Sequence, residues 1–244
     1  MSRTRPAIAV VALFAAVAGA GEPEVPFELP ATTLMTGPAG PVYRASSAGI
    51  ASVDGCCEPP AGGVEAAFQE WSTSTQFLAG FYASGLWGPR SRQFNYVPFS
   101  IRQGVMATSP EDHWWGRGNY ECLFDLTGAW VATNYGNWFA GPTFFARANW
   151  VQPDSSVVPY LQAGVGAVYN DAYRDQTQRA LGQAVESYLH LQAGLKWFVA
   201  PNLSLDVEVG LQHQSNGGLA ERNYGINCYG GALGLTYHFP CGGQ

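Results

Sequence analysis

The 244-residue chain carries 12% charged and 14% aromatic residues, 30 Gly and a formal net charge of −6. That mix suits an all-β chain with many turns better than a helical enzyme, and the lack of a basic surplus argues against nucleic acid as a partner. The length fits one β-barrel or two small domains.

Met1 to Ala20 reads as a secretory signal peptide. Arg3 and Arg5 give the charged start, Ala7 to Val17 the apolar run, and Ala18-Gly19-Ala20 a small-residue cleavage site. The run is too short to span a membrane comfortably, and no later stretch reaches the roughly 18 apolar residues of a transmembrane helix. A helix-free exported chain can still enter a membrane as a closed barrel. No Cys follows the site, so the signal is not of the lipoprotein kind. Residues 21–66, rich in Pro, Gly and Ala and without periodicity, are expected to form a flexible lead segment, and the Cys56-Cys57 pair reads as part of it. The five Cys match no zinc spacing, and their odd number leaves at least one thiol unpaired within a monomer. No metal or cofactor is expected.

From about residue 68 the chain breaks into strand-like runs separated by turn residues, at about 68–86, 95–107, 119–132, 138–151, 157–170, 187–200, 203–216 and 223–239. Several alternate with period two, as a two-faced strand must. In the fourth run Phe144, Ala146, Ala148 and Trp150 oppose Thr143, Phe145, Arg147 and Asn149; in the sixth Leu189, Leu191, Ala193, Leu195 and Trp197 oppose Tyr188, His190, Gln192, Gly194 and Lys196. An even number of such segments behind a signal peptide is the pattern of an outer-membrane barrel. The competing reading is a soluble lipocalin-type barrel, whose apolar face would point inward. The polar face favours the membrane barrel. It carries Arg102, Asp125, Arg147, Lys196, Asp206 and Glu208, which can neutralise one another in a narrow lumen. Trp150, Trp197, Tyr237 and Phe239 lie at the ends of even-numbered runs, as an interfacial aromatic girdle would. The expected fold is therefore all-β, an eight-stranded antiparallel transmembrane β-barrel over residues 67–240. With both termini in the periplasm, the connections after odd runs, including 217–222, face outside.

In the seventh run Leu203, Leu205, Val207, Val209 and Leu211 alternate with Ser204, Asp206, Glu208, Gly210, Gln212 and Gln214. His213 and Ser215 continue the apolar series. An imidazole and a hydroxyl two apart on one strand face are neighbours, and a His-activated Ser is a nucleophile arrangement. From alternation alone the blander account is preferred: polar residues capping a strand where it meets the head groups. His190 and His238 are expected to be hydrogen-bonded lumen filler, and His113 to lie on the surface of a connection. No H-E-x-x-H, G-x-S-x-G or Walker pattern is present.

The chain resembles the PagL-like lipid A 3-O-deacylases, or acyloxyacyl hydrolases. The likeness is strongest in His213-Gln-Ser215-Asn216-Gly-Gly-Leu219, Arg222-Asn223-Tyr-Gly225-Ile-Asn227 and Gly234-Leu-Thr-Tyr-His-Phe239. It is weaker around Tyr96–Gly104, Glu121–Asp125 and Pro159–Gly166. The resemblance implies an outer-membrane barrel whose outside cuts the ester-linked acyl chain at position 3 of lipid A. His213 would be the general base and Ser215 the nucleophile. The family's third member, a Glu, falls on Asn227, which shares the outward phase of the eighth run and would lie opposite His213. Asn can orient a His, as in Cys-His-Asn proteases, but supplies no charge. Glu221 is a remote substitute. Asn216, the Gly217 and Gly218 amides and Asn223 are candidates for the oxyanion hole. The expected partners are lipid A or lipopolysaccharide, membrane lipid and, as one option, a second copy in a homodimer. The alternative is a non-catalytic structural or lipid-binding barrel of the same descent.

Overall fold

A computed structural model describes residues 63–84, 94–133 and 135–241. The signal peptide, nearly all of the lead segment and Cys56-Cys57 lie outside these residues. The elements run β1 (Thr73–Ser84), β2 (Asn95–Met106), a short β3 (Glu111–His113), β4 (Gly116–Val131), β5 (Trp138–Asn149), β6 (Val157–Asn170), β7 (Val185–Ala200), β8 (Leu203–Ser215) and β9 (Ile226–Phe239). Each long strand pairs antiparallel with its neighbour, β4 takes up the pairing after β2, and β9 pairs with β1 over Thr73↔Phe239 to Ser84↔Cys228. The β3–β4 hairpin hangs on one edge. Eight long strands thus close into a barrel, whose ladders pair the backbone internally as a membrane core demands.

The barrel is polar inside and apolar outside. Along β8, Ser204, Asp206, Glu208, Gln212 and Gln214 are buried, while Leu205, Val207, Val209 and Leu211 are exposed. Phe77, Ile101, Phe144, Leu191 and Leu233 continue the outer apolar band on other strands. A lipocalin-type barrel would show the reverse, so the soluble reading is excluded and the chain is a transmembrane barrel.

The lumen is packed with paired charge. Arg102 Nε lies 2.9 Å from Asp125 Oδ2 and its Nη1 2.7 Å from Glu208 Oε1; Arg147 Nη1 lies 3.0 Å from Glu121 Oε2; Lys196 Nζ lies 3.4 Å from Asp206 Oδ1. Gln76 joins the groups, since its Oε1 accepts from both arginines and its Nε2 donates to Asp206 Oδ2 at 2.8 Å. Glu121 is the member not foreseen in this network. Charges this deeply buried persist only when paired and hydrogen-bonded.

Apolar plugs close both ends. At the end where β1 starts and β9 finishes, a 3-10 turn at Val64–Phe68 inserts Ala67 and Phe68 among Met106, Val151, Val158 and Phe198. Asn119 Nδ2 donates to Phe68 O at 2.9 Å. The first strand therefore begins at Thr73, not near residue 68, because this turn is spent plugging the mouth. At the other end Tyr82, Phe94, Tyr96, Phe139, Leu181 and Tyr188 form a second cluster beneath the long connections.

Three sequence expectations need revision. His113 is not a free surface residue, since its ring stacks on Trp115 at 4.8 Å between centroids. Trp150 joins the same cluster, with its ring 5.2 Å from that of Trp115, whereas Trp197, Tyr237 and Phe239 stand exposed on the outside. His238 is hydrogen-bonded filler through Ser204 Oγ at 3.2 Å, but His190 packs by its ring against Tyr188 and Phe145 and makes no hydrogen bond among the described residues.

Candidate active site

The site lies at the end of β7, β8 and β9 opposite the start of β1 and the finish of β9. The β8–β9 ladder pairs His213 with Asn227, and the β7–β8 ladder pairs Ser187 with Ser215. All four residues belong to the outward phase of their strands. His213 Nδ1 lies 2.7 Å from Asn227 Oδ1. A carbonyl oxygen can only accept, so this bond places the proton on Nδ1 and leaves Nε2 as a lone-pair base.

Ser215 sits between two neighbours. On the β7 side Ser187 Oγ donates to Ser215 O at 2.6 Å and lies 3.4 Å from Ser215 Oγ. On the β9 side, one step beyond the Gln214↔Ile226 pair, comes Gly225. Its φ of 67° is left-handed, and a Cβ built there would lie 2.9 Å from His213 Cε1 and 3.4 Å from Nε2. Gly at 225 thus allows a turn that other residues resist and leaves room for the imidazole edge. No hydrogen bond joins His213 to Ser215 Oγ among the described residues. Catalytic contacts of this kind commonly close only around bound substrate.

The β8–β9 connection is a built loop. Asn216 is buried, and its Oδ1 accepts from the Gly218 amide at 3.0 Å and the Ala220 amide at 3.4 Å, while its Nδ2 donates to Arg222 O at 3.0 Å. The Asn216 side chain and the Gly218 amide are therefore committed to loop structure. The Gly217 amide takes no part in these bonds. Asn223 Oδ1 is fixed by the Asn216 amide at 2.9 Å, which leaves its NH2 group as a donor. Glu221 is exposed and makes no bond to His213.

Arg222 ties this loop to the β6–β7 connection, donating to the carbonyls of Tyr173 at 2.9 Å, Asp175 at 2.9 Å and Gln178 at 3.2 Å. The Tyr224 and Gly225 amides add bonds to Arg179 O and Ala180 O. Sequence reasoning singled out neither Ser187 nor the clamping role of Arg222. Ser187 was reachable, because it continues the outward series of Leu189 and Leu191. The Arg222 contacts depend on a loop fold that no periodicity encodes.

The sequence profile of PagL, lipid A 3-O-deacylase, matches residues 95–236. The solved structure of the outer-membrane enzyme PagL is 20% identical, with 66% of this chain and 98% of that one covered and a TM-score of 0.47. Neisserial surface protein A is 16% identical, with 69% and 97% covered and a TM-score of 0.42. The N-terminal barrel of Pseudomonas aeruginosa OprF is 14% identical, with 70% and 98% covered and a TM-score of 0.41. No curated protein was found to match. The profile spans more than half of the chain, so this protein belongs to the PagL family of lipid A 3-O-deacylases, outer-membrane β-barrels.

Proposed function

We propose that the protein is a serine esterase of the outer membrane that removes the ester-linked acyl chain at position 3 of lipid A, or of a similar acylated glycolipid. The observation that carries this reading is the 2.7 Å bond from His213 Nδ1 to Asn227 Oδ1 on the lipid-facing surface, beside Ser215. A secreted precursor with termini in the periplasm would put this end of the barrel in the outer leaflet, where lipid A resides.

Ser215 Oγ attacks the ester carbonyl while His213 Nε2 takes its proton. The Gly217 amide and Asn223 Nδ2, which the loop bonds described above leave unused, are our candidates for the oxyanion donors; the Asn216 amide holds Asn223 by its Oδ1. Collapse breaks the ester C–O bond, and His213 returns the proton to the sugar oxygen. Water, activated by the same imidazole, then hydrolyses the acyl-enzyme. Asn227 fixes the tautomer of His213 but leaves the imidazolium without a charged neighbour, so slow turnover is expected.

The second reading is a non-catalytic barrel of the family. Asn227, which supplies no carboxylate, favours it. Mass spectrometry of lipid A from a lipopolysaccharide-producing host expressing wild type, Ser215→Ala and Asn227→Glu separates the two. Loss of one 3-hydroxyacyl chain with wild type but not with Ser215→Ala is the expected result. Restoring the carboxylate in Asn227→Glu is expected to raise turnover by roughly ten- to a thousandfold, within the ceiling set by neutralising the acid of other triads. Unchanged lipid A with all three inserted proteins would favour the non-catalytic barrel.

A further inference from the structure

We propose that Ser187 is a positioning residue that holds Ser215 in a resting orientation, with its hydroxyl proton turned away from His213. The proposal rests on the esterase reading and adds to it a latch on the nucleophile.

The direction of the proton follows from hydrogen-bond arithmetic. A serine hydroxyl has one proton to donate. Ser187 Oγ lies 2.6 Å from Ser215 O, and since a carbonyl cannot donate, the Ser187 proton is committed there. In the 3.4 Å contact between the two hydroxyls Ser187 can then only accept, so Ser215 is the donor. The one proton that His213 must remove is thus directed across the β7–β8 ladder. The imidazole lies on the other side, over Gly225, where a Cβ would come within 3.4 Å of Nε2. Attack requires Ser215 Oγ to leave Ser187 and swing towards His213, a rotamer change about one side-chain bond. Gly225 contributes no side chain there, and the edge of the imidazole takes up the place of its Cβ. Ser187 and His213 therefore compete for a single proton, and the ladder pair Ser187↔Ser215 fixes the competitor in place.

This competition has a measurable sign. A residue that merely supports the strand would slow the reaction when removed; a latch would speed it. The full-length protein in detergent micelles is treated with an alkyl fluorophosphonate, in which the serine oxygen bonds to phosphorus and fluoride leaves with the serine proton taken up by buffer. Labelling of Ser215 is followed in wild type, Ser187→Ala and Ser187→Thr, with the folded fraction of each read from heat-modifiable gel migration. Loss of one partly exposed hydrogen bond predicts that Ser187→Ala labels roughly two- to tenfold faster. Ser187→Thr keeps the accepting oxygen and is expected within about twofold of wild type. On an ester substrate the gain should fall in kcat, with KM unchanged. Labelling of Ser187→Ala alone would be the strongest form of the expected result. An equal or slower rate in Ser187→Ala overturns the latch, as does a Ser187→Thr rate that matches Ser187→Ala. If no variant labels although all are folded, the esterase reading falls and takes the latch with it.

Discussion

Strand β8 carries two different sites on its two faces. Its inward residues Asp206 and Glu208 are buried and meet Lys196 and Arg102 at 3.4 Å and 2.7 Å. Its outward residues His213 and Ser215 have partners that fix their geometry without neutralising any charge. In the lumen Arg102, Arg147 and Lys196 each meet a carboxylate, and Gln76 and Gln162 link these pairs into one network. The outer site has no such network: His213 Nδ1 meets an amide oxygen and no carboxylate, and Ser215 Oγ lies 3.4 Å from Ser187 Oγ. The period of a strand lets one sequence build stability and reactivity independently, because adjacent residues never share a face. Substitutions on the two faces should then have separable effects.

The largest effect is expected from Glu208→Ala. It removes the acceptor that Arg102 reaches at 2.7 Å and Tyr160 Oη at 2.8 Å, and leaves Asp125 as the one carboxylate that still pairs with Arg102. Breaking a buried pair from one side costs about 3–5 kcal/mol. Urea unfolding in lipid vesicles should show that loss. The triple replacement Arg102→Met, Asp125→Leu and Glu208→Leu should recover part of it, because it removes the whole Asp125–Arg102–Glu208 group and strands none of its members. Lipid A deacylation by the folded fraction should stay unchanged in both. A matching loss of activity would mean that the two faces of β8 are coupled.

This separation also explains what was legible in the sequence. Alternation is a local property, so the strand runs and the outward phase of His213, Ser215 and Asn227 could be read directly. The length of the β8–β9 connection then set the His213↔Asn227 register. Glu121 was missed although it shares the inward phase of Asp125, because Leu123 between them interrupts the polar series. The Val64–Phe68 plug was also missed, since a single 3-10 turn has no period to detect and its burial comes from residues far along the chain. Ser187 and Arg222 act through cross-strand and loop-to-loop contacts, whose partners are chosen by the closed barrel. A short motif marks the side chains proposed to react; it does not reveal the contacts around them.

A smaller effect should come from Gly225→Ala, confined to the outer site. The left-handed φ of 67° disfavours Ala by about 1–2 kcal/mol. The new Cβ would also lie 2.9 Å from His213 Cε1 and displace the ring. At least a tenfold loss in kcat is expected, since misplacing a base by a fraction of an ångström weakens proton transfer strongly. Gly225→Asn separates the two causes, because Asn tolerates left-handed backbone yet still has a Cβ. Equal losses in both variants would assign the effect to the displaced imidazole. Recovery in Gly225→Asn would assign it to the backbone.

The smallest effect concerns the loops that flank the site. Asp171 Oδ1 accepts from the Asn137 amide at 2.8 Å and the Trp138 amide at 3.2 Å, and its Oδ2 from Asn137 Nδ2 at 3.0 Å. Partial burial works against its charge, but the Asn137 side chain and these amides outweigh it and hold the carboxyl below the usual range. A depressed folded pKa contributes order that is fully present above the unfolded value of about 3.9 and is lost as pH falls through the folded one. Amide exchange at Asn137 and Trp138 in micelles should therefore keep its protection at neutral pH and lose it only in strong acid. In Asp171→Asn the same amides should be less protected at neutral pH, with no step in acid. Protection in wild type that survives to about pH 2 would mean that the carboxylate is not what orders this connection. The order would then have to come from the Arg222 bonds to the carbonyls of Tyr173, Asp175 and Gln178, and the loops beside the outer site would depend on that clamp alone.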